Sequence, residues 1–265
     1  MLTQWRLALV PALGLALVSL LTTPACASPA GRGWTSFEVV AGSRILAAAW
    51  KDDPAAGDLL TVVIEGDGIA HDSQGRPSAD PTLKDPLGFR IAQAWPQGPV
   101  AWLGRPCQYV TDPACTPADW TTGRYSEAAV SASSLAIDAL KRRSGAKRLR
   151  LMGWSGGGTM AALVAARRTD VAVLVTLAAP LDLAAWAAWH GASPLAGSLD
   201  PAAVTLPPGV VQLHVLGRFD PVVPPALGES AARRLGGTVL VWPEKHTCCW
   251  AKRTIRLLAL ARPAG

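Results

Sequence analysis

The stretch Leu151-Met152-Gly153-Trp154-Ser155-Gly156-Gly157-Gly158-Thr159-Met160 sets one serine among four glycines, directly after an apolar run. Glycine weakens strands and helices alike, so this density needs a backbone reason. A strand turning sharply into a helix supplies one. Upstream, "RLRLMGW" reads as a strand; downstream, "GGTMAALVAARR" reads as a helix; Gly153-Trp154-Ser155-Gly156-Gly157 is G-x-S-x-G at their junction. In such an elbow the serine occupies a strained turn, and its neighbours must be tiny so that strand and helix can approach. The helix then aims free N–H groups at the reaction centre.

Outward from the elbow, strand and helix patterns alternate. "SFEVV" and "RILAAAW" read as strands around the turn "AGS", followed by the strands "DLLTVVIEG" and "PVAWLG". Ser126 is a predicted N-cap for the helix "EAAVSASSLAIDALKRR". After the elbow come "VAVLVTLAA" and "VVQLHVLG" (strands), "PALGESAARRL" (helix), "TVLVWP" (strand) and "CWAKRTIRLLALA" (helix). This order predicts an α/β fold with a mostly parallel sheet covered on both faces. Residues 180–209, rich in Ala, Trp, Gly and Pro, break the alternation and read as a small insertion or lid over the sheet.

The chain has 265 residues, half of them hydrophobic and 17% charged, enough for one large core and too short for two ordinary domains. The first 27 stand apart. "MLTQWR" gives a positive start, "LALVPALGLALVSLL" an apolar stretch interrupted by Pro11 and Gly14, and "TTPACAS" small residues suited to cleavage. That order predicts a secretory signal peptide over residues 1–27, cut at the A-x-A site Ala25-Cys26-Ala27, and a single domain over 28–265 exported to a periplasm or secreted. The stretch is too short and interrupted to span a bilayer comfortably. The competing route makes Cys26 the lipid-modified first residue of a lipoprotein, the one case giving a membrane partner, although Thr23-Pro24-Ala25 fits that signal poorly.

The full chain carries +6; losing the leader removes only Arg6 and leaves 24 basic against 19 acidic residues. The densest basic run, Lys141 to Arg150, flanks a helix end and has no interleaved aromatics, which argues for a solvated face and against a nucleic-acid partner. Export leaves Cys107, Cys115, Cys248 and Cys249 in an oxidising compartment. Three pairings are open; the favoured bond closes "CQYVTDPAC" from Cys107 to Cys115, while Cys248 and Cys249 are adjacent, closer than the usual disulfide span, so a bridge between them would be strained. The cysteines beside His246 lack a second ligand cluster, so no metal is expected; a brace for the His246 loop is.

A serine hydroxyl needs a base, and the base an orienting acid. Of four histidines, His214 lies inside a strand, His190 in the insertion and His71 in a polar loop. His246 follows the last strand, at the sheet edge where open α/β sheets bind ligands. Asp220 follows the strand "VVQLHVLG" in "GRFDPVVP", and Asp182 is the rival acid. Trp154, Trp186 and Trp189 fall near the elbow or in the insertion, either lining an acyl pocket or packing as core and lid.

With "GWSGGG", "GRFDPVVP" and "EKHT" in the order Ser155, Asp220, His246, the chain resembles the α/β-hydrolases over roughly Thr61 to Ala261. The resemblance implies Ser155 as nucleophile, His246 as general base then acid, and Asp220 as its orienter. It implies an oxyanion hole from the N–H groups of Gly156 and, by matching the glycines of "IEGDG", Asp67. Glu65-Gly66 stands where the family often has His-Gly, and the Asp67 carboxylate is expected to point away from the hole. "EGDG", "DPTLKDP", "RPCQY" and "RYS" are further similar to a group of exported bacterial hydrolases. The implied function is cofactor-free hydrolysis, by a monomer, of an ester or related acyl bond in a small acyl-containing substrate. A peptidase or acyltransferase on the same fold and a non-catalytic envelope-binding protein are the alternatives.

Overall fold

Eight strands form one sheet in the order β1-β2-β4-β3-β5-β6-β7-β8 in the computed structural model, which describes residues 29, 31–51 and 57–263. The expected leader and Cys26 lie outside the described residues. The strands are β1 (Trp34–Ala41), β2 (Arg44–Lys51), β3 (Leu59–Ile64), β4 (Val100–Leu103), β5 (Arg148–Trp154), β6 (Val171–Leu177), β7 (Val211–Gly217) and β8 (Thr238–Trp242). β2 runs antiparallel to β1 and β4; every other pairing is parallel.

Period-two alternation sends side chains to two cores. Leu60, Val62 and Ile64 of β3 and Leu149 and Leu151 of β5 join one; Val63 and Met152 join the other. The first core is roofed by α2 (Glu127–Ser144), α3 (Gly156–Ala165) and α5 (Pro225–Leu235); the second by α1 (Leu87–Gln93) and α6 (Thr254–Leu260). Both faces are thus covered, as a largely parallel sheet requires. α2 begins where its cap was expected, the Ser126 hydroxyl accepting from the Ala129 N–H, and ends at Gly145 with φ +69°.

Two elements differ from expectation. α1 follows "DPTLKDP" in a stretch of only seven helical residues, too short to show a helical period. Residues 180–209 form the β6–β7 crossover and carry α4 (Leu183–Trp189), whose alanines give the pattern little polarity to alternate. Among the described residues no helix is long and apolar enough to cross a membrane.

Because β3, β5, β6, β7 and β8 are parallel, their C-terminal ends share one rim. Onto it open the residue 65–68 loop after β3, the elbow after β5, the Asp220 loop after β7 and the His246 loop after β8.

Candidate active site

Ser155 is where β5 becomes α3, at φ 54°, ψ −129°, a conformation that costs a side-chain-bearing residue about 1–3 kcal/mol. The flanking glycines permit the turn by their lack of a Cβ. One added at Gly153 would stand 2.1 Å from the Gly157 carbonyl carbon, closing the strand-to-helix approach. One at Gly156 would stand 1.9 Å from the Asp67 carboxylate and 2.5 Å from the Tyr125 hydroxyl. The Ser155 N–H donates to the Leu177 carbonyl (2.8 Å), pinning the elbow to β6.

The structure brings Ser155, His246 and Asp220 together across separations of 91 and 26 residues. His246 Nε2 lies 3.0 Å from Ser155 Oγ and Nδ1 lies 2.8 Å from Asp220 Oδ2. Asp220 is buried and its other oxygen accepts the N–H groups of Val222 and Val223 (2.8 and 2.9 Å), so the carboxylate has one orientation. The His246 carbonyl accepts two indole N–H groups, from Trp154 (2.7 Å) and Trp250 (2.8 Å), which fix the loop from both sides. The rival acid Asp182 caps α4, accepting from the Ala185 N–H (2.8 Å), and pairs with Arg234. His214 is fully buried, bonded to the Thr176 hydroxyl, and desolvation pushes its pKa down to about 4. His71 and His190 stand outside the Ser155–His246–Asp220 group; the His190 ring bonds the Val222 carbonyl.

Neither the Asp67 N–H nor the Gly156 N–H meets an acceptor among the described residues. The Asp67 carboxylate lies against the Gly156 Cα. Its charge is met there by Arg105 Nη1 (2.8 Å), Arg124 Nη1 (3.0 Å) and the Tyr125 hydroxyl (2.7 and 2.8 Å). Burial raises the Asp67 pKa, but Arg124, Arg105 and Tyr125 outweigh it and hold the carboxyl below its ordinary value. Two residues earlier, Glu65 is fully buried. It accepts four bonds, from the N–H groups of Gly66 (3.1 Å), Gly88 (3.0 Å) and Phe89 (3.1 Å) and the Trp102 indole (2.9 Å). Those bonds offset desolvation only in part, so its pKa is raised.

Glu65, Arg105, Arg124 and Tyr125 were not among the expected site residues. Their signal was the four motifs "EGDG", "DPTLKDP", "RPCQY" and "RYS", which converge on this loop. Ile69 N–H donates to the Pro81 carbonyl (2.9 Å), Gln108 Nε2 to the Gly66 carbonyl (3.0 Å), and a Cβ at Gly68 would stand 1.9 Å from the Pro81 oxygen.

A cavity of about 320 Å³ opens over Ser155 and His246, walled mainly by apolar side chains, among them Leu83, Trp154, Leu183, Trp186 and Val222. Residues 180–209 therefore supply one of its walls, while Trp189 is 58% exposed. The cysteines pair as Cys107–Cys115 and Cys248–Cys249. Glu244, Cys248 and Cys249 bring a carboxylate oxygen and two sulfurs within 4.8 Å of one another, but bridged sulfurs offer no thiolate and Glu244 is paired with Arg253.

No protein-family profile matches the chain, and no curated protein matches it by sequence. Solved structures do resemble it. An α/β serine hydrolase homologue from Coxiella burnetii is 16% identical, with TM-score 0.52 over 84% of this chain and 93% of that one. A serine hydrolase without lid from Xanthomonas campestris is 16% identical, with TM-score 0.57 over 86% and 91%. An esterase from Pyrococcus furiosus is 12% identical, with TM-score 0.58 over 85% and 90%. The protein has the α/β-hydrolase fold.

Proposed function

We propose that this protein is an exported serine hydrolase that cleaves an ester or related acyl bond through an acyl-enzyme. The observation that carries the reading is one imidazole within hydrogen-bond reach of both the Ser155 hydroxyl and the buried Asp220 carboxylate. His246 Nε2 takes the hydroxyl proton as Ser155 Oγ attacks the acyl carbon, and Asp220 holds Nδ1–H and stabilises the imidazolium. The oxyanion that forms is received by the unoccupied N–H groups of Gly156 and Asp67. His246 returns the proton to the leaving alcohol as the tetrahedral adduct collapses to the ester of Ser155. It then deprotonates water, whose attack releases the acid and restores the hydroxyl.

The cavity lies at the small end of ligand pockets and is mainly apolar, which favours short acyl groups. The test is labelling with a fluorophosphonate probe, followed by hydrolysis of p-nitrophenyl esters of increasing acyl length. Labelling of the wild type but not of Ser155→Ala, with turnover falling as the acyl chain lengthens, is the expected result. A correctly folded wild type that neither labels nor turns over any ester would end the reading.

A further inference from the structure

Arg105 is held in the loop after β4 and is 4% exposed, a long cation buried almost completely. Burying a guanidinium is costly unless its charge and its donors are met. Its two Nη atoms bond backbone and side-chain groups around the elbow, while Nε is buried with no partner among the described residues. Nη1 donates both to Asp67 Oδ1 (2.8 Å) and to the Gly156 carbonyl (3.1 Å), and Nη2 donates to the Arg124 carbonyl. The guanidinium also stacks 4.8 Å over the Tyr125 ring, whose hydroxyl bonds Asp67. Arg124, fixed by its own bond to the Thr121 carbonyl (2.7 Å), takes the second oxygen of Asp67.

One nitrogen of Arg105 therefore bridges the two segments whose N–H groups lack an acceptor among the described residues, the residue 65–68 loop and the start of α3. These segments follow the paired strands β3 and β5 and begin just past their last paired residues, Ile64 and Gly153, where the ladder no longer holds them together. The cluster also contains two guanidiniums and one carboxylate, an excess of one positive charge held largely buried beside the elbow. Fixed charge of this sign needs no reorganisation when an oxyanion develops.

We propose that Arg105 is a positioning residue for the hydrolysis proposed above, on which this inference rests. By tying Asp67 to the Gly156 carbonyl it sets the spacing of the two backbone donors that receive the oxyanion. It touches neither substrate nor Ser155. Its loss moves the donors relative to the oxyanion, which forms only in the transition state, so turnover falls while ground-state binding stays.

The test compares Arg105→Ala and Arg105→Lys with the wild type on p-nitrophenyl acetate. The alanine variant is expected to lose about 30- to 100-fold in kcat with KM within about twofold, the scale of a displaced oxyanion donor. Guanidinium ion added below denaturing concentrations should recover part of that loss in the alanine variant and none in the wild type. Lysine keeps the charge but lacks the second arm that bonds the Arg124 carbonyl, so it should fall between. If the alanine variant fails to fold by circular dichroism, lysine carries the test alone: a lowered kcat at unchanged KM supports the proposal. Wild-type kcat in a folded variant, a loss carried by KM alone, or a folded alanine variant that guanidinium does not revive overturns it. An active wild type with equally active variants removes this inference only; a wild type that neither labels nor turns over removes the hydrolase reading and this inference with it.

Discussion

The cavity has two unlike walls. On one, Ser155, His246 and Asp220 form a file of three groups joined by two hydrogen bonds, with Asp220 at its buried end. On the other, Asp67 is clamped by two arginines and a tyrosine, and Glu65 beneath it by four N–H donors. A file of two bonds lets a proton pass and an imidazole change charge. A clamp of many charge-assisted bonds lets nothing move. On the proposed function, proton transfer belongs to the first wall and geometry to the second, and a disulfide follows each along the chain: Cys107–Cys115 just after Arg105, Cys248–Cys249 just after His246.

The largest effect should come from the proton-carrying wall. Ser155→Ala should lower kcat by on the order of 10⁴-fold or more, with the thermal midpoint unchanged or raised because the mutation removes no packing. Steady-state rates on p-nitrophenyl acetate beside calorimetry check both halves. A variant with wild-type turnover would dissolve the contrast altogether.

Asp67→Asn probes the still wall with a side chain of the same shape. Leaving two buried guanidiniums undercompensated should cost about 3 kcal/mol of stability at neutral pH. The dependence on pH has a definite sign. Asp67 titrates below its ordinary value in the folded protein, so its ionised form stabilises above the unfolded value of about 3.9. That contribution is lost as pH falls through the lower folded value. The gap between wild type and Asp67→Asn, read from urea midpoints, should therefore narrow on acidification below about pH 4. Glu65 works in the opposite direction. Its raised pKa means that burial costs stability at high pH, and this cost fades as pH drops towards about 4.3. A gap that widens in acid would reverse the assignment of charge on this wall.

The two disulfides sharpen the comparison at smaller scale. Replacing Cys107 and Cys115 together by serine should remove about 2.5 kcal/mol, the loop-closure value for so short a ring, and leave kcat near wild type. Reducing Cys248–Cys249 in that background should do the reverse: a few-fold loss of kcat with little change in the unfolding midpoint, followed by thiol titration against turnover. Equal effects from both bridges would erase the distinction between walls.

Much of the molecule was legible in one dimension. The succession of strands and helices along the chain, the Ser126 cap, the elbow and the candidate residues Ser155, Asp220 and His246 follow from periodicity, glycine spacing and position after strands, all local signals. Asp220 was separable from Asp182 by its proline-rich context, and the structure gives Asp182 a helix to cap. Less legible were α1, too short to show a period, and the partners of Asp67. Two arginines contributed by other loops meet its carboxylate, and nothing near residue 67 announces them.

What the sequence determined by itself is the alternation of elements and the placing of chemically apt residues at strand ends, since hydrophobic period and backbone tolerance are properties of neighbours along the chain. What only the tertiary structure decided is the convergence of "EGDG", "DPTLKDP", "RPCQY" and "RYS" on one loop. A guanidinium chooses its carboxylate by distance in space, and Arg105 and Asp67, 38 residues apart, become neighbours only because β4 pairs beside β3 in the finished sheet.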